Sequence, residues 1–406
     1  MTPRRRFLLT AYGSRGDVQP LFALALALRA AGHDALVAAP ANFSTFAASL
    51  GVPFRAVGSD IDRFFADSRL GLARMVAALR SELGAHVEAL AEAASGCVAV
   101  VGAGVPVAAP TAAELHGIPY IFVAYAPVVL PSRHHPPPAV GAQSLPAWSN
   151  AALWSATRAL LDGAARGELN RVRRARGLGP IRALYSHVVG LRPLLAADAT
   201  LAPPAPDQDC VTTGAWQLPE DPLAPALSAF LDAGDAPFYL GFGSMPDADP
   251  RATQQLVVEA TRTLGRRAVV LSALDHGWPA QAHAVRAAPH GRLFPRCAAV
   301  VHHGGAGTTH AAARAGVPQV VVPHALDQRW WAHRVRVLGL GAAPLARAKL
   351  SARSLGHALE EALGPDVAAR AKSFAAGLTN DGVERAIPEL LARAASRSAL
   401  EGKCRA

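Results

Sequence analysis

The chain reads as an α/β protein of two doubly wound domains that face a central cleft, and three observations predict it. Short apolar runs alternate with helical patterns from Phe7 to about Tyr125. The same alternation restarts at Pro237, after a proline-rich zone near residues 202–225. At 406 residues the chain is too long for one ordinary domain, and its 51% hydrophobic content can fill two cores. Strands alternating with helices at this spacing mean βαβ units and a parallel sheet.

Taken in order, "FLLTAY" is a buried strand and "QPLFALALALRAAG" a helix, with Pro20 near its start and Gly32 closing it. Strand "ALVAAP", helix "NFSTFAASLG" and strand "PFRAVG" follow. Residues 127–149, "PVVLPSRHHPPPAVGAQSLPAWS", form a long proline-rich connection, and loops of that length in compact domains are usually functional. Helical patterns resume from Ala151 to Gly177. The second proline-rich zone, "APPAPDQDC" through "LPEDPLAP", is read as an interdomain linker. Beyond it come strand "PFYLGFGS", a helix over about Pro250 to Leu264, strands "RAVVLSAL" and "AAVVHH", a helix from Ala306, strand "QVVVPH" and a helix from Gln328. The expected organisation is a first domain over 1–205, a linker over 206–235 and a second domain over 236–380. An alanine-rich helical segment, 381–406, should pack back on the first domain. Such a pair of domains places a ligand cleft at the carboxyl ends of both sets of strands, and a proline-rich linker makes hinge closure the default expectation.

The formal charge of +10 and a pI near 10.2 raise nucleic acid as a partner, but the charge pattern argues against it. Lysine occurs only at Lys349, Lys372 and Lys403, so the positive charge is arginine scattered among alanine-rich helices, without interleaved aromatic residues. The four cysteines, Cys97, Cys210, Cys297 and Cys404, form no C-x-x-C pair, which disfavours structural zinc or a disulfide framework. In "MTPRRRFLLTAYGSRGD" the apolar run ends too soon for a signal peptide, and "PLFALALALRAAGHDALVAAP" is interrupted by Arg29, His33 and Asp34. The expectation is a cytoplasmic protein without stable membrane insertion.

The chemistry concentrates in "VVHHGGAGTTHAAARAGVPQVVVPHALDQRWWAHR", residues Val300 to Arg334. Glycines directly after a strand and opening a helix let the backbone approach a ligand closely. They also offer free N–H groups at the positive end of the helix dipole, which is an anion site whose commonest occupant is a diphosphate. Neither G-x-x-x-x-G-K-[ST] nor a properly spaced G-x-G-x-x-G is present. His302 and His303 are adjacent on a strand, so they point to opposite faces and cannot chelate one metal together. One imidazole with the hydroxyls of Thr308 and Thr309 can neutralise a diphosphate without a metal. Asp327-Gln328 falls at the next strand-to-helix junction, where a carboxylate and an amide can grip sugar hydroxyls; as a lone dipeptide it also suits a simple helix start.

With these residues in view, the stretch resembles the C-terminal donor-binding signature of the inverting, nucleotide-sugar-dependent glycosyltransferases of the GT-B fold, in particular the bacterial enzymes of glycopeptide and macrolide biosynthesis. "AYGSRGDVQPLFALALALRAAGHDALVAAP", "TGAW", "PFYLGFGSM", "VVLSALDHGW", "RLFPRCAAVVHHGGAGTT" and "DQRWWAHRVRVLGLG" match the family's landmarks in order. The likeness covers most of residues 5–345 and is weakest from about Arg133 to Leu201. It implies two Rossmann-like domains, the first for the acceptor and the second for the nucleotide sugar.

By the same resemblance His302 would contact the diphosphate and His303 would be structural. Gly304, Gly305, Gly307 and Thr308 would supply close backbone and hydroxyl contacts, Asp327 and Gln328 would hold the donor sugar, and Ser244 would reach the donor. Asp17 of "GSRGD" matches the acidic position that bacterial relatives use to take the acceptor's proton. A free aspartate near pKa 3.9 is a poor base, so the site must raise its pKa, whereas nearby Arg15 would lower it. The alternative, an Asp17 that merely caps the helix beginning near Val18, stays open. Arg133, His134 and His135 of the proline-rich connection would meet the acceptor. Arg329 stands where relatives commonly have proline, and the "GSRGDVQP" opening is also similar to sterol glycosyltransferases.

The implied partners are a UDP- or dTDP-sugar and a small-molecule hydroxyl acceptor, with a homodimer allowed and no nucleic acid. No cofactor or metal is expected, since no D-x-D-type acidic pair is present. Three other readings remain: a catalytically silent auxiliary subunit, a nucleotide-sugar epimerase and a sterol or lipid glycosyltransferase. A nicotinamide-dependent oxidoreductase fails for want of a G-x-G-x-x-G after strand one; Pro40 ends strand two where an acidic residue would be needed.

Overall fold

The computed structural model describes residues 3–59, 72–243 and 249–404. Among them the first sheet has seven parallel strands, β1 Arg6–Tyr12, β2 Asp34–Ala39, β3 Phe54–Ala56, β4 Ala99–Gly104, β5 Tyr120–Ala124, β6 Leu194–Leu195 and β7 Val211–Thr212. Their spatial order is β3-β2-β1-β4-β5-β6-β7. The second sheet is also parallel and comprises β8 Phe238–Gly241, β9 Ala268–Leu271, β10 Ala282–Val285, β11 Ala299–His302 and β12 Gln319–Val321, in the order β10-β9-β8-β11-β12. In each sheet the order reverses beside the first strand, between β1 and β4 and between β8 and β11. Ligands of open α/β sheets bind at that switch point, outside the strands' carboxyl ends.

The strands read as unbroken apolar runs because helices cover both faces of each sheet. In β1, Phe7, Leu9 and Ala11 join the core beneath the helix Arg15–Ala30, while Leu8 joins the opposite core beneath the helix Leu72–Ala94. The second sheet alternates likewise: Phe238 and Leu240 face one layer, Tyr239 the other.

Several boundaries differ from the sequence reading. The segment 206–235 is not a free linker: β7 pairs with β6, Trp216 is buried in the first domain, and the helix Pro225–Asp232 sends Leu227 and Leu231 into the second. The helix Gly382–Cys404 packs Val383, Ala386, Leu390 and Ala394 into the same core as the first helix. The first helix begins at Arg15, earlier than its apolar periodicity suggests, because its polar first turn faces the cleft instead of the core.

A fifth apolar cluster joins the two domains. Phe122, Val128, Leu130, Leu195 and Leu201 of the first meet Val321, Trp330, Trp331, Val335 and Leu340 of the second. His310 Nε2 accepts the amide of Asp198 across this seam (3.1 Å), and Arg334 Nε donates to the carbonyl of Leu201 (3.2 Å). Relative domain motion is the default unless an interdomain interface is large and apolar, and this apolar seam contains a fully buried tryptophan, Trp331.

Candidate active site

Asp17 sits in the loop after β1, at the first sheet's switch point. Ser14 caps the helix, and both its amide (2.7 Å) and its hydroxyl (3.0 Å) donate to Asp17 Oδ2. Asp17 therefore does take part in the helix cap. Among the described residues both bonds fall on Oδ2, which leaves Oδ1 for a ligand. Two glycines make room for the carboxylate. A Cβ on Gly13 would lie 2.3 Å from Asp17 Oδ2, and one on Gly104, where φ is +68°, would lie 3.3 Å from Asp17 Cγ. Tyr125 donates its hydroxyl to the Asp17 carbonyl (3.1 Å), fixing the turn. Burial raises the Asp17 pKa above the ordinary carboxylate value, against the pull of the Ser14 hydrogen bonds. Arg15 is not among the groups acting on it. The Arg15 guanidinium instead acts on Tyr239 and His290 of the second domain, and burial lowers its own pKa.

The glycine block occupies the second sheet's switch point, after β11. Gly305 is the N-cap of the helix Ala306–Arg314, and Thr309 closes its first turn by donating Oγ1 to the Gly305 carbonyl (2.9 Å). Gly304 has a φ of +90°, and a Cβ there would come within 2.9 Å of the Gln328 carbonyl. Gly307 is exposed with open space before it, and Thr308 is half-buried beside it.

The two histidines lie in opposite environments. His302 is fully buried, donates Nε2–H to Gln319 Oε1 (2.9 Å) and accepts the Gly304 amide on Nδ1 (3.1 Å). Both nitrogens are thus spent inside the protein, and burial pushes its pKa down to about 3. It shapes the loop. His303 lies on the opposite side of the strand, wedged between the loops after β8 and β11. A Cβ on Gly243 would be 2.7 Å from its Cε1, and one on Gly305 would be 2.5 Å from its Nε2. Its Nδ1 is buried without a partner among the described residues, and burial holds its pKa at about 4.

Asp327 and Gln328 open the helix Gln328–Val337. The preceding Leu326 is exposed with a φ of +51°, a strained conformation for a branched side chain. Gln328 Oε1 offsets that strain by accepting the amides of His324 (2.7 Å) and Ala325 (3.0 Å), so the amide side chain shapes the loop. Asp327 Oδ2 accepts the indole N–H of Trp331 (3.2 Å). Burial and then the negative charge of Asp17 raise the Asp327 pKa to about 6. The two carboxylates, one from each domain, therefore feel one another across the cleft.

The acceptor-side expectations change. His135 is buried: its Nε2 accepts from Gln208 Nε2 (2.9 Å), and its carbonyl takes the Trp154 indole proton (3.1 Å), so it braces the loop. Arg133 and His134 are exposed, and Asp207 holds this turn through the Arg133 amide (2.8 Å). Among the described residues no hydrogen bond or ion pair links them to Asp17. Ser244 lies outside the described residues. Sequence reasoning missed Tyr12 and His86, which line a small cavity beside β1, and Glu82, which pairs with His86. The rings of Tyr12 and His86 are 5.0 Å apart, and His86 Nε2 lies 3.2 Å from Glu82 Oε2. Their signal was weak because Glu82 and His86 lie on a helix distant in sequence from the "GSRGD" loop. Among the described residues no three metal-ligating side chains converge, and no helix is long and apolar enough to cross a membrane.

Two family models match the chain: the glycosyltransferase family 28 N-terminal domain over residues 7–125 and the erythromycin biosynthesis protein CIII-like C-terminal domain over residues 271–395. The vancomycin aglycone glucosyltransferase of Amycolatopsis orientalis is 39% identical over 404 residues, covering 95% of this chain and 97% of the relative. The dTDP-epi-vancosaminyltransferase of the same organism is 36% identical over 386 residues, covering 90% and 92%. Among solved structures, glycosyltransferase VinC in complex with dTDP superposes with a TM-score of 0.69 at 21% identity, covering 96% of this chain and all of that one.

Proposed function

Because the chain belongs to the bacterial natural-product glycosyltransferases, we propose that it moves a sugar from a UDP- or dTDP-sugar to a hydroxyl of a small-molecule aglycone with inversion at the anomeric carbon. The observation that carries the reading is the meeting of two switch points: Asp17 in one wall, and Asp327 with the helix N-terminus of the glycine block in the other.

In this reading the nucleoside diphosphate lies at the start of the helix Ala306–Arg314, taken by its free amides and by His303. Asp327 and Gln328 sit beside the sugar, Gln328 fixing the loop that presents Asp327. The acceptor oxygen attacks the anomeric carbon as its proton passes to Asp17 Oδ1. The bond from that carbon to the phosphate oxygen breaks with its electron pair, which leaves on the diphosphate. The raised pKa of Asp17 makes it a better proton acceptor late in the displacement. The helix dipole and the His303 ring are fixed before reaction, so charge developing on the leaving group meets oriented donors without a metal.

The test separates binding from chemistry. Thermal shift against UDP-, dTDP- and GDP-sugars without metal, alongside turnover of vancomycin aglycone, is expected to pick one nucleotide. His303→Ala should lose that shift. Asp17→Asn should keep it while turnover falls by about 100-fold to 10,000-fold. A shift that survives in His303→Ala overturns the diphosphate placement, and full activity in Asp17→Asn overturns the base.

A further inference from the structure

We infer that Arg329 is a specificity-determining residue, holding the middle of the acceptor-side loop against the helix whose start presents the Asp327 carboxylate to the donor sugar. Arg329 follows Asp327-Gln328 directly, in the first turn of the helix Gln328–Val337. Its side chain leaves the second domain, and Nη1 donates to the carbonyl of Ala139 in the first (3.1 Å). Cδ and Nε run along the same stretch, 4.0 Å from where a Cβ on Gly141 would stand.

The loop from Pro127 to Pro146 is anchored elsewhere by its own domain. Asp207 holds Ser132 and Arg133, Asn150 Nδ2 donates to the carbonyls of Arg133 (3.0 Å) and Leu145 (3.3 Å), and Trp154 holds His135. The span 139–144 between these anchors is mostly exposed, and among the described residues Gln143 bonds only back onto the span at Val140 and Gly141. A segment with little buried apolar area opens at low free energy, so one charge-assisted hydrogen bond is a large share of what orders it. The span lies within one arginine side chain of Asp327 and Gln328, so in the proposed glycosyl transfer it stands beside the acceptor. Ordering it in advance removes that cost from acceptor binding and restricts the aglycone's shape.

The inference rests on the proposed glycosyl transfer, so the experiment uses two readouts. Arg329→Pro keeps a first-turn residue compatible with the helix and removes the guanidinium; Arg329→Lys retains one donor. Hydrogen exchange of the free protein over 137–146 is expected to quicken in Arg329→Pro and recover in part in Arg329→Lys. With vancomycin aglycone and dTDP-glucose, the acceptor KM should rise about fivefold to tenfold. Donor affinity and kcat should stay near the original values, and a panel of phenols and aliphatic alcohols should be accepted more widely. Unchanged exchange overturns the contact whatever the activity. Quicker exchange with unchanged acceptor KM and acceptor range overturns the specificity role. A fall in donor affinity of the same size shows instead a distortion of the sugar loop and overturns it too. If the unaltered chain turns over no acceptor, the glycosyl-transfer reading fails, and the exchange result still decides whether Arg329 orders the span.

Discussion

His302 and His303 are neighbours in the chain and opposites in environment. The alternation of β11 sends one ring into the layer with Val300 and turns the other towards the glycine loops. That a strand would separate them was legible in "VVHHGG"; which one turned inward was not, because it depends on Gln319, a buried acceptor on the adjacent strand. Asp327 carries a pH signature of its own. Its pKa is about 6 in the fold and near the ordinary carboxylate value in the unfolded chain, so the native state favours the protonated form. The stability contribution is fully present below the unfolded pKa, about 4, and is lost as pH rises through about 6. Asp327→Asn should therefore gain Tm relative to the unaltered protein as pH climbs from 4 to 7, read by calorimetry at several pH values. A Tm difference constant across that window refutes the raised pKa.

Among the described residues the loops after β1, β11 and β12 position the site, and the last two depend on a backbone that few residues adopt, at Gly304 and Leu326. Gly304 is the sharpest case: it combines a φ of +90° with a carbonyl 2.9 Å from any added Cβ. Gly304→Ala should cost more than about 1 kcal/mol in denaturant unfolding and weaken donor binding, because the displaced backbone is that of Gln328. An alanine variant of unchanged stability would show that the loop can relax. The fold class and the central strands were readable because buried parallel strands are continuous apolar runs, and "FLLTAY" and "AAVVHH" are such runs. Strands β6 and β7, of two residues each, and β10, "AHAV", escaped, since their pairing is settled by neighbours remote in sequence and not by their own composition. His135 looked like a ligand in "SRHHPPP" for the same reason: the partners that bury it, Gln208 and Trp154, are separated from it by long stretches of chain.

For the molecule as a whole, the apolar seam around Trp331 makes the two domains one mechanical body. Calorimetry should give a single unfolding transition for the intact chain. Trp331→Ala is expected to lose about 3–5 kcal/mol and to split that transition in two as the domains uncouple. Two transitions in the unaltered chain would refute the coupling. The cleft is then largely shaped at folding, and adjustment on binding falls to loops such as the span held by Arg329. The last helix adds an order in time. Its residues Val383, Ala386 and Leu390 complete the core around the first helix. During synthesis the first domain must therefore wait, with one flank of its first helix bare, until residues 383–394 have left the ribosome. Chaperone capture of nascent chains should concentrate in that interval.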